Sequence, residues 1–103
     1  MKELSHRDRC AVVGIGNTEF STNSGRSVLS LATEASTKAI ADAGLEPKDI
    51  DGIIRCDFDA VTQSDLANSL GLPDLRYWSA HGPGGSAPCS MMASAVGAVL
   101  SGQ

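Results

Sequence analysis

Apolar side chains recur at Val28, Leu31, Ala32, Ala35, Ala39, Ile40 and Ala43. This spacing of three and four is that of one helical face, and it predicts a helix over 27 to 43. Glu34, Lys38 and Asp42 lie four apart on the opposite face and are expected to pair. Gly44 supplies a left-handed terminator, and Pro47 prevents continuation. Upstream, the run Ala11-Val12-Val13-Gly14-Ile15-Gly16 is short, β-branched and ended by glycine, which predicts an inner strand. Asn17 to Arg26 is rich in Ser, Thr, Asn and Gly and reads as a loop. Asp49 to Gly52 reads as a turn and Ile53 to Cys56 as a second strand. Together these elements predict a β-α-β unit whose right-handed crossover places both strands in one parallel sheet.

The second half continues the alternation. A short helix is expected from Thr62 to Leu70, stopped by Gly71, and a third strand from Leu75 to Ser79. His81-Gly82-Pro83-Gly84-Gly85 then forces an unusual backbone. Ser86 is a suitable N-cap with Pro88 in the first turn behind it, and Met92, Ala95, Val96, Val99 and Leu100 form one apolar stripe. The remaining positions of that helix are mostly Ala, Ser and Gly, so neighbours can approach from every side, and a buried central helix is expected. The fold class is α/β, in the order β-α-β-α-β-α, with residues 1 to 8 a flexible N-terminus and 9 to 103 one partial domain.

Composition narrows the function classes. The chain has 103 residues, 42% hydrophobic and 19% charged, with one Trp, one Tyr and two Phe, so its core must be aliphatic. A net charge of −4 leaves no basic stripe for nucleic acid. There is no apolar stretch of bilayer length, and the polar start resembles no signal peptide, so a cytoplasmic protein is expected. Cys10, Cys56 and Cys89 lack CxxC spacing, and His6 and His81 form no recognisable ligand motif with them. Reduced thiols and no metal site are expected. Cys10 and Cys56, in predicted strands, are expected in the core.

Two glycine loops are candidates for chemistry. Gly14-x-Gly16 follows a predicted strand as a dinucleotide fingerprint does, but the third glycine is missing and Glu19 would oppose a pyrophosphate. The simpler reading is a strand end that needs a bare backbone. Gly82 to Ser86 leads into a helix whose free N–H groups and dipole can stabilise an oxyanion or a thiolate. It has neither the ending of a P-loop nor the Gly-x-Ser-x-Gly of a nucleophile elbow. Ser86 and Cys89 are the candidate catalytic residues, and Gly84, Gly85 and His81 the candidate substrate-binding ones. No carboxylate adjacent in sequence would orient His81 as a base. Tyr77 and Trp78 are candidates either for an acyl pocket or for packing.

The runs Val12 to Phe20, Gly25-Arg26-Ser27, Ala41 to Ile53 and Gly84 to Cys89, on to Ser101-Gly102, together resemble the start of the thiolase family. The likeness is greatest to its sterol-carrier-protein branch, the lipid-transfer proteins or acetyl-CoA acetyltransferases, and covers nearly the whole chain. The resemblance implies a protein built of two βαβαβαββ halves with an inserted loop domain. It also implies coenzyme A as substrate carrier with no bound cofactor, and a homodimer formed through the strand around Arg76 to Ser79. Counting back from Gly102 places Gly85 or Ser86 where the family's nucleophilic cysteine stands, with Cys89 about one turn later. That departure is similar to the lipid-transfer-protein aldolases, which lack the cysteine, cleave carbon–carbon bonds of acyl-CoA side chains and work with a small OB-fold partner subunit. Ser86 and its neighbouring N–H groups would then polarise a carbonyl. The alternatives are a cysteine-dependent acyltransferase using Cys89 and a non-catalytic binding or assembly module.

Overall fold

A computed structural model describes residues 9–21, 23–56, 61–82 and 87–102 of the chain. The elements run α1 Val28–Asp42, a 3₁₀ turn Pro47–Asp49, β1 Gly52–Cys56, α2 Gln63–Leu70, β2 Tyr77–His81 and α3 Ala87–Leu100. The expected flexible stretch of residues 1 to 8 lies outside the described residues.

Helix α1 forms where the periodicity places it, and both its ends are satisfied by adjacent sequence. Ser27 is in extended backbone, and its Oγ accepts from the Ser30 N–H at 3.1 Å. At the other end Gly44 adopts φ 74°. The Gly44 and Leu45 N–H groups then bond the Ala41 and Ile40 carbonyls, both at 3.0 Å. These are the two bonds of a Schellman motif. Glu34 pairs with Lys38 at 3.0 Å and with Arg26 at 2.7 Å. The Lys38 hydrogen bond, and after it the Arg26 one, hold the Glu34 carboxyl below the usual carboxylate range. Asp42 departs from the expected pairing with Lys38, because its Oδ2 accepts from the Ile15 N–H at 3.0 Å.

Strands β1 and β2 pair in parallel, with Gly52 opposite Tyr77 and Cys56 opposite His81. The observed crossover is therefore β1-α2-β2. Helix α2 is punctuated as α1 is: the Thr62 Oγ1 accepts from the Asp65 N–H at 3.1 Å, and Gly71 takes φ 75°. Alternation along the strands separates two faces. Ile53 and Arg55 lie on the face toward α2, where the Arg55 Nε donates to Gln63 Oε1 at 3.4 Å. Ile54, Cys56, Tyr77, Ser79 and His81 lie on the face toward α3. Helices α1 and α2 meet through Thr33 Oγ1 and Ser69 Oγ, 2.8 Å apart. The buried hydrophobic residues are Ile53, Val61, Ala67 and Ala87.

Four expectations need correction. Residues 11 to 16 form no strand; they run alongside α1. A Cβ at Gly14 or Gly16 would collide with the Ala39 or Ala35 carbonyl oxygen of α1. The Lys38 Nζ donates to the Asn17 carbonyl at 3.3 Å, so the segment is held by helix side chains and has no ladder among the described residues. The glycines do need a bare backbone, but for close approach to α1 and not at a strand end. Second, β2 lies two residues later than the predicted third strand, because Arg76 and Tyr77 first donate to the Asp51 carbonyl as the chain enters the sheet. Third, α3 is not a buried central helix. Only Ala87 is buried in it, while Met92 and Val99 are 53% and 65% exposed, since a two-stranded sheet covers one face and leaves the other open. Cys10 and Cys56 are likewise only half-buried.

Candidate functional site

The interface of β2 with α3 carries a line of polar side chains. Tyr77, Ser79 and His81 alternate onto one face of β2, and Ser90 and Ser94 lie four apart on α3. A period of two thus meets a period of four, and the groups come into register. Tyr77 Oη is 2.8 Å from Ser94 Oγ, and Ser94 Oγ is 3.3 Å from Ser79 Oγ. Ser79 Oγ is 3.0 Å from His81 Nε2, and His81 Nδ1 is 2.8 Å from Ser90 Oγ. The Tyr77 and Ser79 bonds are partly buried, whereas the His81 to Ser90 bond is exposed. Sequence reasoning singled out His81 and Tyr77 but missed Ser79, Ser90 and Ser94. The signal was available as Tyr-x-Ser-x-His in a strand and Ser-x-x-x-Ser in the helix that follows.

His81 is thus the last residue of β2, oriented by two hydroxyls and not by a carboxylate. Gly82 follows at φ 144°, a backbone conformation that favours glycine. The candidates Gly84, Gly85 and Ser86 lie outside the described residues. Cys89 is the third residue of α3, exposed within its first turn. It belongs to the outer stripe with Met92, Ala93 and Val96, whereas Ser90 and Ser94 line the sheet side. The structure therefore brings His81 and Ser90 together and leaves Cys89 apart from them.

At the other end of β2 an apolar cleft of about 340 Å³ is lined by Ile50, Ile54, Tyr77, Ala95 and Val99, with Asp49 and Asp51 beside them. Tyr77 joins this cleft to the polar line. Trp78, on the opposite face of the strand, is half exposed and takes no part in it. Among the described residues no group of three His, Cys, Asp or Glu side chains could hold a metal ion, and no helix is long and apolar enough to cross a membrane.

The proteins to which the chain is similar are named as aldolases and lyases. A steroid side-chain-cleaving aldolase of Thermomonospora curvata is 48% identical over 92 residues, 89% of this chain. The 17-hydroxy-3-oxo-4-pregnene-20-carboxyl-CoA lyase of Mycobacterium tuberculosis is 45% identical over 94 residues, 91% of this chain. A solved structure described as an Ltp2-ChsH2(DUF35) aldolase matches with a TM-score of 0.86 and 48% identity over 89% of this chain. The chain spans 24% of the length of each of these relatives. No family model matches it.

These likenesses correct the thiolase expectation. None of the three proteins is named as a thiolase or an acyltransferase. The residues that carried the earlier resemblance are glycines, a helix stop and a turn, which shape a backbone and do not specify a reaction. The part of the expectation that agrees with the relatives' names is carbon–carbon bond cleavage in an acyl-CoA setting.

Proposed function

We propose that the chain belongs to a protein that cleaves a carbon–carbon bond in the side chain of a CoA-linked steroid by a retro-aldol reaction. The observation that carries this reading is the 48% identity, over 89% of the chain, to a protein named for that cleavage. A hydroxyl on the carbon β to a thioester carbonyl is the arrangement the reaction needs. A base takes the hydroxyl proton, the C–O bond becomes a carbonyl, and the Cα–Cβ bond breaks. Its electron pair passes to the thioester enolate, which is then protonated at carbon. Catalysis therefore calls for a proton acceptor, a proton donor and groups that stabilise the enolate oxygen.

In this reading coenzyme A is the handle of the substrate. The backbone N–H groups of Gly84, Gly85 and Ser86 stabilise the enolate oxygen, and His81, hydrogen-bonded to Ser90, assists from the end of β2. Cys89 stands outside the reaction, because attack by a thiolate has no place in a retro-aldol cleavage. The joint description Ltp2-ChsH2(DUF35) of the solved relative supports a second subunit as working partner of the complete protein. A homodimer is proposed alongside it. Coexpression with candidate partner subunits followed by native mass spectrometry reads both.

The test is incubation of the full-length protein, with and without its partner subunit, with the CoA thioester of a β-hydroxylated steroid side chain. Mass spectrometry should show a steroid ketone and the shortened acyl-CoA in equal amounts. A protein that leaves this thioester intact under conditions where the Thermomonospora curvata aldolase cleaves it would sink the reading. A C89S variant should cleave at the wild-type rate.

A further inference from the structure

The hydroxyls and imidazole between β2 and α3 form an unbroken line, and we infer that this line is a proton relay running between Ser90 and Tyr77. Its four spacings are 2.8, 3.0, 3.3 and 2.8 Å from the Ser90 end to the Tyr77 end. Each of the five members both donates and accepts a hydrogen bond. No carboxylate holds the His81 tautomer through these bonds, because each ring nitrogen faces a hydroxyl that can turn either way. The whole line therefore has two orientations with the same number of hydrogen bonds. Conversion of one into the other moves a proton from end to end.

The transfer balances at every member. Ser90 Oγ takes a proton from a donor at the exposed end, and its own proton passes to His81 Nδ1. The Nε2 proton of His81 passes to Ser79 Oγ, that of Ser79 to Ser94, and that of Ser94 to Tyr77 Oη. The Tyr77 proton leaves to water in the cleft it shares with Asp49 and Asp51. Each group gains and loses one proton, and the reverse sequence delivers one to the Ser90 end. The two ends differ as a relay requires, with Ser90 exposed in the first turn of α3 and Tyr77 lining the cleft at the far end of β2. The identity of the external donor, the hydroxyl of a bound acyl-CoA, rests on the retro-aldol reading; the relay itself does not.

The experiment reads the ring nitrogens of His81 by NMR in the full-length protein, wild type and variants, and then the cleavage rate. A relay is coupled along its length, so Y77F, which removes a hydroxyl three links away from the ring, shifts the His81 tautomer ratio. S79A shifts it further. S94A acts like Y77F, whereas S94T, which keeps the hydroxyl, restores the wild-type spectrum. Ring nitrogens that respond to S79A but not to Y77F or S94A overturn the relay. If Y77F does not fold, the comparison of S94A with S94T decides the matter alone. In the cleavage assay S79A lowers kcat by about tenfold with KM unchanged, since the interrupted line removes one route of acid–base assistance. An unchanged kcat overturns its part in the reaction. A wild-type protein that cleaves no β-hydroxyacyl-CoA overturns the retro-aldol reading, while the ring spectra still judge the relay.

Discussion

Helices α1 and α3 are nearly the same length, 15 and 14 residues, but are held in place differently. Helix α1 draws its cap from Ser27, its stop from Gly44 and its ion pairs from Arg26, Glu34 and Lys38, all within its own stretch of chain. Helix α3 has no charged residue, and its specific bonds are the hydroxyls that reach across to β2. Its other face presents Met92 and Val99 to solvent. The lesson is one of scale. Local chemistry decides where a helix starts and stops, whereas which side of it becomes a working surface depends on the neighbours the fold provides.

The hardest way to break α1's arrangement is to remove the close approach that the segment before it depends on. A Cβ at Gly16 would meet the Ala39 nitrogen at 2.6 Å and the Lys38 Cβ at 2.8 Å, besides the Ala35 carbonyl. Backbone cannot yield as a flexible side chain does. G16V should therefore cost about 3 kcal/mol, the upper range for overpacking, in urea denaturation. A loss below about 1 kcal/mol would show that residues 11 to 16 are not seated on α1.

The cap comes next. S27A leaves the Ser30 N–H without its acceptor and should cost about 1 kcal/mol, with no effect on the His81 ring spectrum. Smaller still is the charge cluster. Glu34 has a lowered carboxyl pKa through Lys38 and then Arg26, so its contribution to stability is complete above the ordinary carboxylate range. It is lost as the pH falls through the lower, folded-state value. Thermal melts of wild type and E34Q should differ at neutral pH and converge in acid. Parallel curves across that range would show that the pairs contribute nothing, as is common for exposed ion pairs.

Legibility followed the same division. Helix α1, its glycine stop, the short helix α2, the Gly71 terminator and the strand at Ile53 were readable because their signals lie within a few residues of one another. The run 11 to 16 was misread as a strand because β-branched residues and a closing glycine suit any extended segment. Only the helix packed against it shows that Gly14 and Gly16 serve contact. The polar line was missed for a related reason. Ser79, Ser90 and Ser94 each look like ordinary small residues, and they become a site only when strand and helix periods are laid against each other. Of the loop from Gly82 to Ser86, residues 83 to 86 lie outside the described residues.

The sharpest form of the comparison is a substitution that should do nothing. Met92 lies on the outer stripe of α3 and is more than half exposed, so its apolar surface is poorly withdrawn from water in this fold. Replacing it by lysine keeps helix propensity and adds charge at a half-exposed position near Cys10, Ala11 and Val12. M92K in the 103-residue chain should change unfolding free energy by less than about 0.5 kcal/mol, as surface substitutions do. It should also leave the Tyr77 to Ser90 line intact, since that line uses the opposite side of the helix. A loss well above that bound would mean that the outer face of α3 is packed after all.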